Sequence, residues 1–312
     1  MILVPFPEMT SLATGIASHL GTVSRPLDWH HFPDGESLVT MPDGLSGEGI
    51  AIVATLRDPD RLALPLRFAA ATAREMGARR VGLIAPYLGY MRQDGRFHPG
   101  QSVSALLFAG FLSESFDWLV TVDPHLHRIS NLGEAFEIPA TRVATAPLLA
   151  KWIRDNVPDA VLLGPDSESQ QWVAEVARLA DRPYEVLKKR RTGDRAVEVS
   201  VPESAALGHG TPVILDDIAS SGRTMVRAVE RLIMAGTGKP LCLIIHGIFA
   251  GSAFVDLSAA GARRIVTTDT VPHPTNGIGT AGVIARAIAE LDPATTGTGS
   301  LQHLSGKEAL WK

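Results

Sequence analysis

The sequence predicts an α/β fold of two domains, each a mostly parallel sheet flanked by helices. Three observations point there. Short apolar runs alternate with helix-periodic segments along nearly the whole chain, the rhythm of strand–helix–strand units whose parallel sheet is covered on both faces. The chain is 312 residues long, enough for two cores. Its candidate strands, at 2–6, 50–56, 80–87, 118–123, 160–164, 184–188, 212–216, 241–248 and 264–268, exceed what one small sheet holds. The sparse stretch at 137–147 is the expected boundary, giving domains of 1–143 and 144–293, and the shared rhythm of the halves points to an internal duplication.

Composition narrows the function classes. Hydrophobic residues make up 45% and charged residues 20%, as in ordinary globular proteins. The net charge of -4 leaves no electrostatic footprint for nucleic acid or an acidic membrane. No apolar stretch has the length of a membrane span and no signal-type segment opens the chain, so the expected address is cytoplasmic. The single cysteine, Cys242, lies in an apolar run and reads as a buried, inert thiol.

Taken in order, the first apolar run, I-L-V-P-F, is followed by F-P-D-G-E at 32–36. Pro-Asp-Gly is turn chemistry; an aromatic ring with two acids would also suit a purine and its exocyclic amine, and both readings stand. The strand at 50–56 leads into a helical pattern at 62–76. After the strand at 80–87 comes G-Y-M-R-Q-D-G-R-F-H, which puts Arg92, Gln93, Asp94, Arg96 and His98 in a strand-end loop, with Phe97 available for stacking. In open α/β sheets ligands gather at such ends. Two guanidinium groups there suit a polyphosphate; a solvated charged loop accounts for the residues equally well.

A helical pattern at 102–112 precedes the strand at 118–123 and D-P-H-L-H, with Asp123, His125 and His127. The strand at 160–164 is followed by G-P-D-S-E-S, with Asp166 and Glu168. A His and an Asp on neighbouring strand ends could hold Mg²⁺, which takes few protein ligands and completes its shell with water and phosphate. No third His or Cys stands at a zinc-like spacing. Beyond the helical pattern at 170–180 and the strand at 184–188 lies K-K-R-R-T-G-D-R. Such a run is ordinarily a solvated turn; beside phosphate loops it would also serve as a cationic flap closing over a phosphoryl group.

The most informative stretch is V-I-L-D-D-I-A-S-S-G-R-T, at 213–224, preceded by a turn at 207–211 and followed by a helical pattern at 225–235. Strand, small hydroxylated loop and helix N-terminus make a phosphate cradle, because free backbone N–H groups and the helix dipole both face the anion. Asp216 and Asp217 would repel a bare phosphate, so a sugar whose hydroxyls donate to the acids fits between them. The last stretch, A-T-T-G-T-G-S and the residues after it, is small and polar, and predicts a mobile tail over 294–312.

Together and in this order, F-P-D-G-E, P-Y-L-G-Y-M-R-Q-D, T-V-D-P-H, G-P-D, K-K-R-R and D-D-I-A-S-S-G-R-T resemble the segments of ribose-phosphate pyrophosphokinases, or phosphoribosyl pyrophosphate (PRPP) synthetases, over roughly residues 1 to 290. The resemblance implies two phosphoribosyltransferase-like (type I) domains with the active site between them. It implies that Arg92, Gln93, Asp94 and Arg96 belong to the ATP site, and that Phe32, Asp34 and Glu36 grip adenine from a neighbouring subunit of a homo-oligomer. His125 and Asp166 would be associated with Mg²⁺, and Lys189 and Arg191 would stabilise the transition state. Asp216, Asp217, Ser220, Ser221, Gly222, Arg223 and Thr224 would hold ribose 5-phosphate. The implied reaction transfers the diphosphoryl group of MgATP to the sugar's 1-hydroxyl.

Departures mark a divergent branch. The family's sugar loop commonly reads D-D-x-x-D-T-x-G-T, whereas this chain has Ser220 for the third acid and Arg223 for the glycine before the final Thr. Gly95 stands where a basic residue is common, and the segment from 126 to 136 is about three residues longer than the family's usual pattern. A type I phosphoribosyltransferase that consumes PRPP would account for the D-D loop but not for R-Q-D or D-P-H. A non-catalytic regulatory paralogue remains the third reading, kept open by Ser220.

Overall fold

The computed structural model describes residues 1–96, 98–187, 189–191, 197–199 and 210–291, with backbone alone at 189–191 and 197–199. The first half contains β1 (Ile2–Pro5), β2 (Val23–Ser24), β3 (Asp28–His31), β4 (Ser37–Thr40), β5 (Gly49–Val53), β6 (Arg80–Ala85), β7 (Trp118–Val122) and β8 (Ala140–Val143). Its helices are α1 (Thr10–Leu20), α2 (Pro59–Glu75) and α3 (Ser104–Ser115). After α4 (Ala146–Asn156) follow β9 (Ala160–Gly164), α5 (Gln170–Ala180), β10 (Tyr184–Val186), β11 (Lys189–Arg191), β12 (Val197–Val199) and β13 (Thr211–Ala219). The chain continues through α6 (Arg223–Met234), β14 (Leu241–Gly247), α7 (Ala253–Ala259), β15 (Arg264–Thr268), β16 (Asn276–Ile278) and α8 (Ala281–Leu291).

Two parallel sheets result, ordered β2-β1-β5-β6-β7-β8 and β10-β9-β13-β14-β15-β16. With the antiparallel hairpins β3–β4 and β11–β12 set aside, the two orders are the same, and each hairpin interrupts its half between the second and third strands of the sheet. The topology is that of a duplicated unit. Inner strands such as β7 (W-L-V-T-V) and β14 (L-C-L-I-I-H-G) are buried along their whole length. They read as continuous apolar runs because both faces are covered.

One core is shared by the two halves. Leu3, Val53 and Val120 of the first sheet and Leu162, Leu215 and Leu243 of the second belong to the same cluster, with Ile16 of α1, Ile153 of α4, Val176 of α5 and Ile284 of α8. Helices α2 and α3 cover the far face of the first sheet through Leu66 and Leu112. Helices α6 and α7 cover the far face of the second through Val229 and Leu257. The last helix, α8, returns to pack on α1, β7 and β8, so the C-terminal half closes over the first sheet. Gly82 is required here by packing: a Cβ on it would overlap the indole of Trp118.

The candidate strands are all present, with two differences of note. β13 runs on past both acids to Ala219, because β14 continues to pair with it, Ile218 facing His246 and Ala219 facing Gly247. The stretch at 137–147 holds β8, the edge strand of the first sheet, before α4 begins. Phe97, Lys188, the turn residues 207–209 and the tail at 294–312 lie outside the described residues. No helix among the described residues is long and apolar enough to cross a membrane.

Candidate active site

The carboxyl ends of β6, β7, β9 and β13 meet at a cavity of about 370 Å³ between the two halves. Arg92 and His125 contribute from the first half, and Asp166, Asp216, Asp217 and Thr224 from the second. The cleft is thus built from four separate sequence motifs, each at a strand end, as expected for ligand sites in parallel sheets.

His125 is turned across the seam: its Nδ1 lies 2.8 Å from Oδ2 of Asp217. That hydrogen bond, helped by the negative charges of Asp217 and Glu168 and opposed by burial and Arg92, raises the imidazole above its ordinary pKa. Burial works to raise Asp217, but His125, with a contribution from the buried His246, outweighs it and leaves this carboxyl below the usual range. Asp216 goes the other way. Burial, followed by the nearby charges of Asp217 and Asp166, pushes it well above the ordinary carboxylate value. Like charges in a desolvated place cannot all ionise without a compensating cation. The carboxylates are hard oxygen donors of the kind Mg²⁺ takes, few at a time, and among the described residues no three His, Cys, Asp or Glu side chains stand together as a complete metal cage.

The loop carrying His125 is fixed from behind. Asp123, only 5% exposed and at φ 30°, accepts from the backbone N–H and hydroxyl of Thr145 at 2.7 and 2.6 Å, and from Nε and Nη2 of Arg142 at 3.1 and 2.8 Å. Its backbone carbonyl lies 3.2 Å from Nε2 of His246, which belongs to β14 in the other half. Nδ1 of His246 meets the hydroxyl of Thr270 at 2.9 Å, and the ring of Tyr87 leans edge-on against the imidazole. His246 is buried, which lowers its pKa and favours the neutral ring. Sequence reasoning missed His246, Tyr87 and Arg142. An isolated His inside an apolar strand and one Arg in a short edge strand carry no spacing signal.

Ser220, Ser221, Gly222, Arg223 and Thr224 follow β13 directly. Gly222 caps α6 at φ 67°, a left-handed conformation that glycine adopts without strain. Arg223 is already the first residue of α6 and points outward, which is why a side chain is tolerated where the family commonly has glycine. Thr224 lines the cavity, whereas Ser220, Ser221, Gly222 and Arg223 do not.

Arg92 also lines the cavity, but Gln93, Asp94 and Arg96 stand outside its wall. Asp94 is held by Arg128, whose backbone N–H and Nη1 reach its two oxygens at 2.7 and 2.8 Å. Burial tends to raise this carboxyl, and the Arg128 contacts prevail and keep it low. Arg96 donates through Nε to the carbonyl of Gln101 at 2.9 Å. Arg128 comes from the lengthened segment and passes within about 3.2 Å of where a Cβ on Gly95 would sit, so the glycine makes room for it. Phe32, Asp34 and Glu36 form the exposed tip of hairpin β3–β4, closed by Phe32 N–H to Glu36 carbonyl at 2.8 Å and Glu36 N–H to Asp34 at 3.2 Å. The side chains of Lys189 and Arg191 lie outside the described part of the structure; their backbone forms β11, paired with β12.

Comparison with known proteins bears on this site. Residues 1–115 match the family described as the N-terminal domain of ribose phosphate pyrophosphokinase, and residues 134–279 match the phosphoribosyl transferase domain. A ribose-phosphate pyrophosphokinase of Methanopyrus kandleri is 33% identical over 293 residues, covering 93% of this chain and 99% of that protein. One from Halobacterium salinarum is 33% identical over 279 residues, covering 89% and 97%. Among solved structures, the phosphoribosylpyrophosphate synthetase of Mycobacterium smegmatis superposes with a TM-score of 0.77 at 23% identity, over 93% of this chain and 98% of that one. That last likeness is one of fold.

Proposed function

The chain belongs to the ribose-phosphate pyrophosphokinase family, and from that premise we infer that its cleft transfers the β,γ-diphosphoryl group of MgATP to the 1-hydroxyl of ribose 5-phosphate. The products are PRPP and AMP. The observation that carries this reading is the His125–Asp217 contact, which brings the Arg92 side of the first half and the D-D strand of the second to one cavity. A donor of several phosphates and a sugar phosphate need such adjoining half-sites.

In this reading Thr224, the loop at Ser220, Ser221, Gly222 and Arg223, and the N-terminus of α6 hold the 5-phosphate. Asp216 and Asp217 take the ring hydroxyls. Arg92 faces the ATP phosphates, while Asp94, engaged by Arg128, shapes the loop rather than touching nucleotide. Gln93 and Arg96 flank that contact. Phe32, Asp34 and Glu36, displayed on a hairpin tip, would receive adenine from a neighbouring subunit of a homo-oligomer. His125 and Asp166 would hold Mg²⁺, which would neutralise phosphate charge during transfer. The 1-hydroxyl oxygen bonds to the β-phosphorus as the bond from that phosphorus to the α–β bridging oxygen breaks. AMP leaves with the bridging oxygen and the hydroxyl proton is released. The protein's contribution is alignment and charge stabilisation, the latter from Arg92 and from Lys189 and Arg191 on hairpin β11–β12.

The test is to incubate purified protein with MgATP and ribose 5-phosphate and to quantify AMP and PRPP. Equal amounts of both are expected. Nucleotide formed from PRPP and a base, without AMP production, would favour a phosphoribosyltransferase. No turnover in either assay would favour a non-catalytic paralogue.

A further inference from the structure

The wall of the cleft carries a cation that no motif announced. Arg142 projects from β8 at the edge of the first sheet, and its side chain is 48% exposed on the cavity that Arg92, His125 and Asp217 also line. Its orientation is set by a buried acid: Nε and Nη2 both donate to Oδ1 of Asp123. Asp123 is itself fixed through Oδ2 by the backbone N–H and hydroxyl of Thr145. Among the described residues Asp123 is the one ion-pair partner of Arg142, and only Nε and Nη2, not Nη1, find an acceptor there. One edge of the guanidinium is therefore spoken for, and the other is presented to the cleft with its geometry already fixed. A planar fork held this way is suited to phosphoryl oxygens.

The surroundings narrow the ligand. Apart from Asp123, which Arg142 itself neutralises, the acids lining the cavity, Asp166, Glu168, Glu175, Asp216 and Asp217, belong to the second half, whereas Arg92, Arg142 and His125 come from the first. An anion carrying several negative charges would rest against the first half, with hydroxyls or a cation toward the second. We propose that Arg142 is a further binding residue of the cleft, whose guanidinium, aimed by Asp123, takes a phosphoryl oxygen of the diphosphoryl group. The proposal rests on the reaction assigned above.

The experiment is calorimetric titration of the full chain with inorganic pyrophosphate in the presence of magnesium, comparing wild type, Arg142→Gln and Arg142→Lys, with melting temperatures measured in parallel. Loss of one charge-assisted contact should weaken pyrophosphate binding by about tenfold or more in Arg142→Gln. Arg142→Lys should recover part of it, since the charge remains without the fork. Unchanged affinity in Arg142→Gln, with or without a lower melting temperature, would overturn the proposal, because it would leave Arg142 a structural partner of Asp123. A wild type that binds no pyrophosphate would overturn it as well. A wild type that binds pyrophosphate through Arg142 but makes no AMP would uphold this site and refute the reaction instead.

Discussion

Nδ1 of His125 and Oδ2 of Asp217 stand 2.8 Å apart, although 92 residues of chain separate them. The first belongs to a loop of the N-terminal sheet and the second to a strand of the C-terminal sheet, so the contact exists only when both halves are folded and docked. The shared core of α1, α4, α5 and α8 supplies that docking. Cleft geometry is consequently tied to packing well away from the chemistry.

Removing either partner should therefore cost turnover more than it costs folding. His125→Ala and Asp217→Asn are each expected to lower kcat by about a hundredfold or more, because both align charge in the cleft. The double variant should be little worse than the weaker single one, since the two residues act as a unit. Steady-state kinetics on the four proteins checks this. Additive losses would mean that the residues act separately.

The buried His246 predicts a pH effect on stability. Its pKa in the folded chain is lowered by burial from the ordinary value of 6.5. As pH falls through that value, the unfolded chain takes up a proton that the folded chain refuses, so this group's contribution is full above about pH 6.5 and is lost as pH descends toward the folded pKa. His246→Gln lacks the titration. The stability advantage of wild type over His246→Gln should shrink between pH 7.5 and about pH 5, read from denaturant melts. His125 shifts in the opposite direction, and it cancels in the comparison of the two proteins. A constant difference across that range would show that His246 does not titrate as its burial demands.

Arg128 should matter to the ATP side without being a ligand. Its two hydrogen bonds hold Asp94 in the loop that presents Arg92. Arg128→Ala is expected to raise the KM for ATP by about tenfold, with a smaller change in the KM for ribose 5-phosphate. Asp94→Ala should give the same pattern. Equal effects on both substrates would place the loop's influence elsewhere.

Lys189 lies on a hairpin that belongs to neither large sheet. Lys189→Ala should lower kcat by about a hundredfold or more while leaving the melting temperature nearly unchanged, because the role proposed for it is charge stabilisation of the transition state. Unaltered turnover would remove this hairpin from the chemistry.

The parts readable in the sequence were those with local periodicity. Central strands such as β7 and β14 are buried on both faces and had to be apolar throughout. Hairpin β3–β4, with D-W-H-H opposite S-L-V-T, is exposed and alternates too weakly to be seen as strand pairing. The D-D loop was visible because strand, glycine and helix follow one another in the chain. His246 was not, since its partners Asp123 and Tyr87 are brought to it only by the docking of the halves. The same holds for Gly95: its missing side chain looked like a lost cation, and the structure puts Arg128 over it.

The central claim is that one cleft joins two substrates and moves a diphosphoryl group between them. It is tested most directly by supplying ATP that carries radioactive phosphorus at the β-position together with ribose 5-phosphate and magnesium. The label should appear in PRPP, in step with unlabelled AMP. Label recovered in ADP, or in any product while PRPP remains unlabelled, would contradict the account.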